Sequence, residues 1–137
     1  MRILVVEDNS IIVSLITSHI DELPGKVEYD IATTAVEAIE IIHSDHPDIV
    51  TLDIHLAKGT GYEVLAAISK LENPPRVIML SNLDSEEVSG RCILLGAERY
   101  FDKASQFEMF FSVLSDWVIA AQRTSEDFEC REGNAAY

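Results

Sequence analysis

The run Asp48-Ile49-Val50-Thr51-Leu52-Asp53 decides how this chain folds. Ile49 to Leu52 form a nearly unbroken apolar, β-prone segment, and such a segment suits a strand of a parallel sheet covered on both faces. Asp53 stands where that strand ends. Outward from it, comparable runs recur at Ile3 to Val6, Val27 to Ala32, Val77 to Leu80 and the short Tyr100-Phe101. Between them, apolar residues fall at three- and four-residue spacing. One set is Ile12, Leu15, Ile16, His19, Ile20 and Leu23 before Pro24-Gly25; another is Val64, Leu65, Ile68 and Leu71 before Asn73-Pro74-Pro75. That spacing predicts amphipathic helices, and the Pro and Gly residues predict where they stop.

Helix starts are legible too. Thr34-Ala35-Val36-Glu37 and Ser105-Gln106-Phe107-Glu108 have the form of capping boxes, in which hydroxyl and carboxylate satisfy free amides at a helix start. Asp84-Ser85-Glu86-Glu87 puts carboxylates at the positive end of a fourth helix, and Gly96 marks its expected stop. In the last helix Phe107, Phe110, Phe111, Leu114, Trp117, Val118 and Ala121 share one face, an aromatic stripe that reads as core. From about Thr124 the chain turns polar, so the expected organisation is one domain over residues 1–123 and a mobile tail over 124–137. Five strands alternating with five helices predict an α/β fold with a doubly wound parallel sheet. In such sheets ligands bind at the carboxyl ends of the strands.

Composition narrows the function classes. With 137 residues, 47% hydrophobic and 25% charged, the chain is long enough and apolar enough for one unstapled core. No stretch approaches the ~20 apolar residues of a membrane span, and the first residues carry no signal or transit pattern. Cys92 and Cys130 suggest neither a disulfide framework nor a metal knuckle, so a cytoplasmic location is expected. A net charge of −14 opposes binding to nucleic-acid phosphates, so direct DNA binding is not expected.

The polar residues that follow the strands fall on one edge of the expected sheet: Glu7 and Asp8 after the first, Asp53 after the third, Ser81 after the fourth and Lys103 after the fifth. Converging carboxylates repel unless a cation lies among them, and a hard ion with oxygen ligands suits them, Mg2+ first and Mn2+ as its substitute. Lys103 supplies positive charge for phosphoryl oxygens and Ser81 a hydroxyl donor. Asp53, ending the central strand, is the expected nucleophile, with the adjacent Glu7 and Asp8 as the metal-holding pair.

Taken with Ile3-Leu4-Val5-Val6-Glu7-Asp8-Asn9, Gly59-Thr60-Gly61, Val77-Ile78-Met79-Leu80-Ser81 and Gly96-Ala97-Glu98-Arg99-Tyr100-Phe101-Asp102-Lys103, the Asp48–Asp53 run resembles a response-regulator receiver domain from Met1 to about Ala121. The resemblance implies a flavodoxin-like (βα)5 fold with strand order 2-1-3-4-5. It implies Asp53 as phosphoacceptor, Glu7, Asp8, Asp53 and the backbone carbonyl of His55 as metal ligands, and Lys103 as phosphate partner. Ser81 and Tyr100 would form the switch pair. The expected donor is a phosphohistidine on a histidine kinase or phosphotransfer protein. The expected product is a stand-alone response regulator, monomeric or dimeric on phosphorylation, that signals through the face of the fourth helix, fifth strand and fifth helix.

Three positions depart from the family's usual pattern: Ala57 and Ala104 stand where proline is common, and Asn82 where a very small residue is usual. Other readings stay open on the residues alone. A metal-dependent phosphatase or nuclease commonly needs a second Asp two residues after the first, where this chain has His55. A flavodoxin-like phosphate binder needs Gly, Ser or Thr where this chain has Glu7-Asp8-Asn9. A receiver-like interaction module that takes no phosphate usually loses the acceptor or the lysine, and this chain keeps both. His19, His43 and His46 show no zinc spacing and read as structural or solvated.

Overall fold

A computed structural model describes residues 1–82 and 85–135, with 124–135 described as backbone alone. The elements follow in strict alternation: β1 (Arg2–Val6), α1 (Ser10–Asp21), β2 (Glu28–Ala32), α2 (Ala35–Asp45), β3 (Ile49–Leu52), α3 (Gly61–Ile68), β4 (Arg76–Ser81), α4 (Glu86–Leu94), β5 (Arg99–Asp102) and α5 (Phe107–Ala135). All strand pairs are parallel and the order across the sheet is β2-β1-β3-β4-β5. The direction reverses between β1 and β3, and that reversal opens a crevice at their carboxyl ends.

Strand alternation sends the apolar side chains to two cores. Leu4, Val6, Val50, Leu52, Val77 and Met79 pack with Ala38, Ile42, Val64 and Leu65 of α2 and α3. Ile3, Val5, Ile78 and Leu80 pack with Ile16 and Ile20 of α1 and with Phe110, Leu114 and Val118 of α5. The central strand β3 is buried at every position, which is why its sequence reads as a continuous apolar run.

Helix ends follow their local chemistry. Thr34 Oγ1 accepts from Glu37 N at 3.2 Å, and Asn9 Oδ1 caps α1 by accepting from Ile11 N and Ile12 N. Gly96, with φ +113°, follows α4 in a backbone region that side chains rarely adopt. Asp84 lies outside the described residues; Ser85 caps α4, with Glu86 and Glu87 in its first turn.

One expectation needs correction at α5. Ser105 is not its cap: Ser105 Oγ donates to Asp102 Oδ2 at 2.8 Å, and the helix starts at Phe107. The Ser105 hydroxyl is turned toward the buried Asp102 carboxylate, a strong charged acceptor, and stands one residue before Gln106, where α5 begins. The α5 backbone also continues through residue 124 to Ala135 without a break. No Pro or Gly interrupts the sequence before Gly133, so nothing local ends the helix near residue 123. Positions 136 and 137 lie outside the described residues.

Candidate functional site

The sequence-selected residues meet at the carboxyl edge, and the sheet itself positions them. Each of three main-chain amides adds one rung beyond its strand: Glu7 N donates to Ala32 O at 3.0 Å, Asp53 N to Val6 O at 3.0 Å and Lys103 N to Ser81 O at 2.9 Å. The side chains of Glu7, Asp53 and Lys103 thus leave backbone that is fixed as firmly as a strand. Glu7, Asp53 and Ser81 are buried, and Asp8 is exposed at the mouth.

Lys103 Nζ bridges the two buried carboxylates, meeting Asp53 Oδ2 at 2.8 Å and contacting Glu7 Oε1. Asp53 Oδ1 accepts from Ile54 N at 2.7 Å. Glu7 Oε2 accepts from Asp8 N and Asn9 N at 3.0 and 3.3 Å. Burial pushes the Glu7 carboxyl up to about 7, and the charge of Asp53 adds to this while the hydrogen bond from Lys103 opposes it. Burial would lower the Lys103 ammonium, but hydrogen bonds and charges from Asp53 and Glu7 outweigh it and hold the group above its ordinary value.

Glu7, Asp8 and Asp53 each present a carboxylate oxygen within 4.8 Å of the others. Hard oxygen donors, two of them buried, fit a divalent ion such as Mg2+ or Mn2+, which neutralises what one lysine only partly balances. The exposed His55 forms an antiparallel bridge with Thr60 across the loop after Asp53.

Ser81 Oγ is buried and makes no hydrogen bond of full geometry, although it lies near enough to the Tyr100 phenol to act on it. Burial pushes that phenol up to about 12, and the nearby Ser81 hydroxyl pulls it back in part. Tyr100 packs beside the core on the α2, α3 and α4 side. Asn82 is exposed beside Ser81.

Some contacts that shape this site are not evident in the sequence. A Cβ at Gly61 would lie 2.4 Å from the Asp53 carbonyl oxygen, so Gly61 is required by close approach of α3 to the acceptor's own backbone. The loop after Asp53 is pinned to the β2–α2 turn: Ala57 N donates to Thr33 O at 3.0 Å and Ala35 N to Lys58 O at 3.0 Å. Proline at 57 has no amide and could not make the first of these bonds, which gives the alanine there a physical purpose. The juxtaposition of two loops has no local sequence signature.

The described residues thus define a five-stranded doubly wound domain with an acidic crevice and a lysine at its switch point. The family described as Response regulator receiver domain matches residues 3–115. Chemotaxis protein CheY of Treponema pallidum is 30% identical over 122 residues, covering 82% of each chain. Among solved structures, the response regulator domain of Thermotoga maritima CheB superposes with a TM-score of 0.70 at 27% identity, covering 90% of this chain and 94% of that one. The Mn(2+)-bound form of response regulator Rcp1 has a TM-score of 0.72 at 22% identity, covering 84% and 89%, and shows likeness of fold. The chain belongs to the response-regulator receiver domains of two-component signalling. It spans about a third of the protein-glutamate methylesterase/protein-glutamine glutaminase of Methylobacillus flagellatus, to which it is 28% identical over 130 residues. Among the described residues no helix is long and apolar enough to cross a membrane.

Proposed function

We propose that this receiver accepts a phosphoryl group on Asp53 in a Mg2+-dependent reaction and acts as a cytoplasmic response regulator. The supporting observation is the buried Lys103 ammonium held between Asp53 and Glu7 at the mouth of a carboxylate crevice. Ion pairs out of water are costly unless fully compensated, and a fold that keeps one at its switch point has a use for the charge. Glu7, Asp8, Asp53 and the His55 carbonyl would hold the ion, which supplies positive charge to phosphoryl oxygens.

The donor is a phosphohistidine on a histidine kinase or phosphotransfer protein. An Asp53 carboxylate oxygen attacks phosphorus, the P–N bond breaks, and the donor imidazole takes the electron pair and a proton from water. Lys103 follows the oxygens of the incoming group and balances their charge. Hydrolysis reverses the state: water attacks phosphorus, the P–O bond to Asp53 breaks, and carboxylate and inorganic phosphate result. Ser81 turns its hydroxyl to the new oxygens, Tyr100 moves into the space behind it, and the face of α4, β5 and α5 changes shape. That face meets a protein target or a second copy of the chain. In this reading residues 1–123 carry the switch.

Intact-mass measurement with acetyl phosphate tests the reading. One phosphoryl group is expected with Mg2+, and none in chelator or in Asp53→Asn; full labelling in either control contradicts it.

A further inference from the structure

A lysine stem is long and flexible, so its ammonium reaches Asp53 and Glu7 reproducibly only if the backbone on both sides of Lys103 is fixed. Upstream, the ladder bond to Ser81 O does this. Downstream, Ala104-Ser105 leads toward α5 outside any strand.

Three hydrogen bonds close this stretch into a ring. Asp102 N donates to Gln106 Oε1 at 2.9 Å, Gln106 N donates to Asp102 O at 2.9 Å, and Ser105 Oγ donates to Asp102 Oδ2 at 2.8 Å. The residue before Lys103 is thereby tied to both residues that follow Ala104. Asp102 is only 7% exposed, while Gln106 is half-buried and Ser105 exposed, so these bonds are partly shielded from water on the Asp102 side.

Gln106 also stands where α5 begins, since Phe110 N donates to its carbonyl at 3.0 Å. A helix start favours Ser, Thr, Asp or Asn, whose oxygens cap the first amides. Gln106 instead turns its side-chain oxygen backward onto the amide of Asp102. Its acceptor serves the loop that carries Lys103 rather than the helix that follows.

We infer that Gln106, supported by Ser105, is a positioning residue that sets the Lys103 ammonium for phosphoryl chemistry at Asp53. The inference rests on the reading of Lys103 as the phosphate partner. Gln106 touches neither the phosphoryl group nor Asp53, and its influence runs through Lys103 alone.

The test is the rate of Mg2+-dependent labelling by acetyl phosphate in wild type, Gln106→Ala, Gln106→Glu, Lys103→Ala and the Lys103→Ala/Gln106→Ala double variant. Thermal melts accompany it, and Ser105→Ala takes the place of Gln106→Ala should the latter fail to fold. Gln106→Ala is expected to label about tenfold more slowly, with no loss of Mg2+ affinity. Gln106→Glu, which keeps an acceptor oxygen, restores the rate. Once Lys103 is alanine, removing Gln106 costs nothing further, because the group it positions is gone. Wild-type labelling by Gln106→Ala, no recovery in Gln106→Glu, or an equal loss in the Lys103→Ala background overturns the inference. Should Lys103→Ala itself label at the wild-type rate, the Lys103 reading is what fails, and the inference falls with it.

Discussion

Both ends of the sheet set a cation among several carboxylates, Arg2 at one and Lys103 at the other, and the two ends use it differently. At the amino edge Arg2 pairs with Glu28, Asp30 and Asp45 at 3.2, 3.5 and 3.8 Å, with side chains 44%, 69%, 39% and 38% exposed. At the carboxyl edge Lys103 pairs with Glu7 and Asp53, and these side chains are 8%, 3% and 8% exposed. The groups are similar and the solvent is not. Water screens the first set, so its charges contribute little to stability. The second set is cut off from water: burial pushes Glu7 up, Asp53 and Glu7 hold Lys103 up against the opposing effect of burial, and carboxylate charge is left for a cation to balance. Burial, more than the presence of charge, separates a reactive site from a surface ornament.

The largest effect is expected from Lys103→Ala. Removing one partner from a buried ion cluster costs on the order of 3 kcal/mol in metal-free protein at neutral pH, readable by urea unfolding. Mg2+ binding should tighten, because a competing cation has left the carboxylates, while phosphorylation slows. Equal stability and equal labelling would place Lys103 in the same class as Arg2.

Next in size is the pH dependence set by Glu7. Its folded value of about 7 stands above the unfolded value of 4.5. Its contribution to stability is therefore fully present below 4.5 and is lost as pH rises through about 7 in metal-free protein. A cation must displace that proton, so Mg2+ affinity by calorimetry should rise about tenfold per pH unit and level off above about pH 7. Glu7→Gln should flatten the profile; an unchanged profile would mean that Glu7 is not the titrating ligand.

Ala57→Pro probes the loop behind the acceptor. It removes the bond to Thr33 O, worth about 1 kcal/mol, against a comparable gain from stiffening the unfolded chain. Net stability should change by under about 1 kcal/mol. Hydrogen exchange at the Ala35 amide should nonetheless speed up, since its own bond to Lys58 O lies in the same tie. Unchanged exchange would show the two loops to be independent. The smallest effect belongs to Arg2→Ala, expected to cost less than about 1 kcal/mol and to shrink further in salt.

Much of this was legible in the sequence because it is local. The apolar run Ile49–Leu52 reports a strand buried on both faces, and Glu7, Asp53 and Lys103 each follow a strand directly, so their common edge follows from a parallel sheet. Ser105 misled because the capping-box pattern contains no information about Asp102, whose buried carboxylate claims the hydroxyl. The Ala57–Thr33 bond and the Gly61 contact with the Asp53 carbonyl arise where separate loops meet, and no spacing within either stretch announces them. The direct grip of Lys103 on Glu7 was hidden for a further reason: the sequence offers the lysine a phosphate, while the nearest anions in the fold are the carboxylates of the crevice.

The central claim is that the buried carboxyl edge makes Asp53, among twenty-four acidic residues, the one that takes a phosphoryl group. Borohydride reduction turns an acyl phosphate on aspartate into homoserine, which peptide mass spectrometry locates. After labelling with acetyl phosphate and Mg2+, homoserine is expected at position 53 alone. Homoserine at position 8 or 102, or none at 53, would contradict the account.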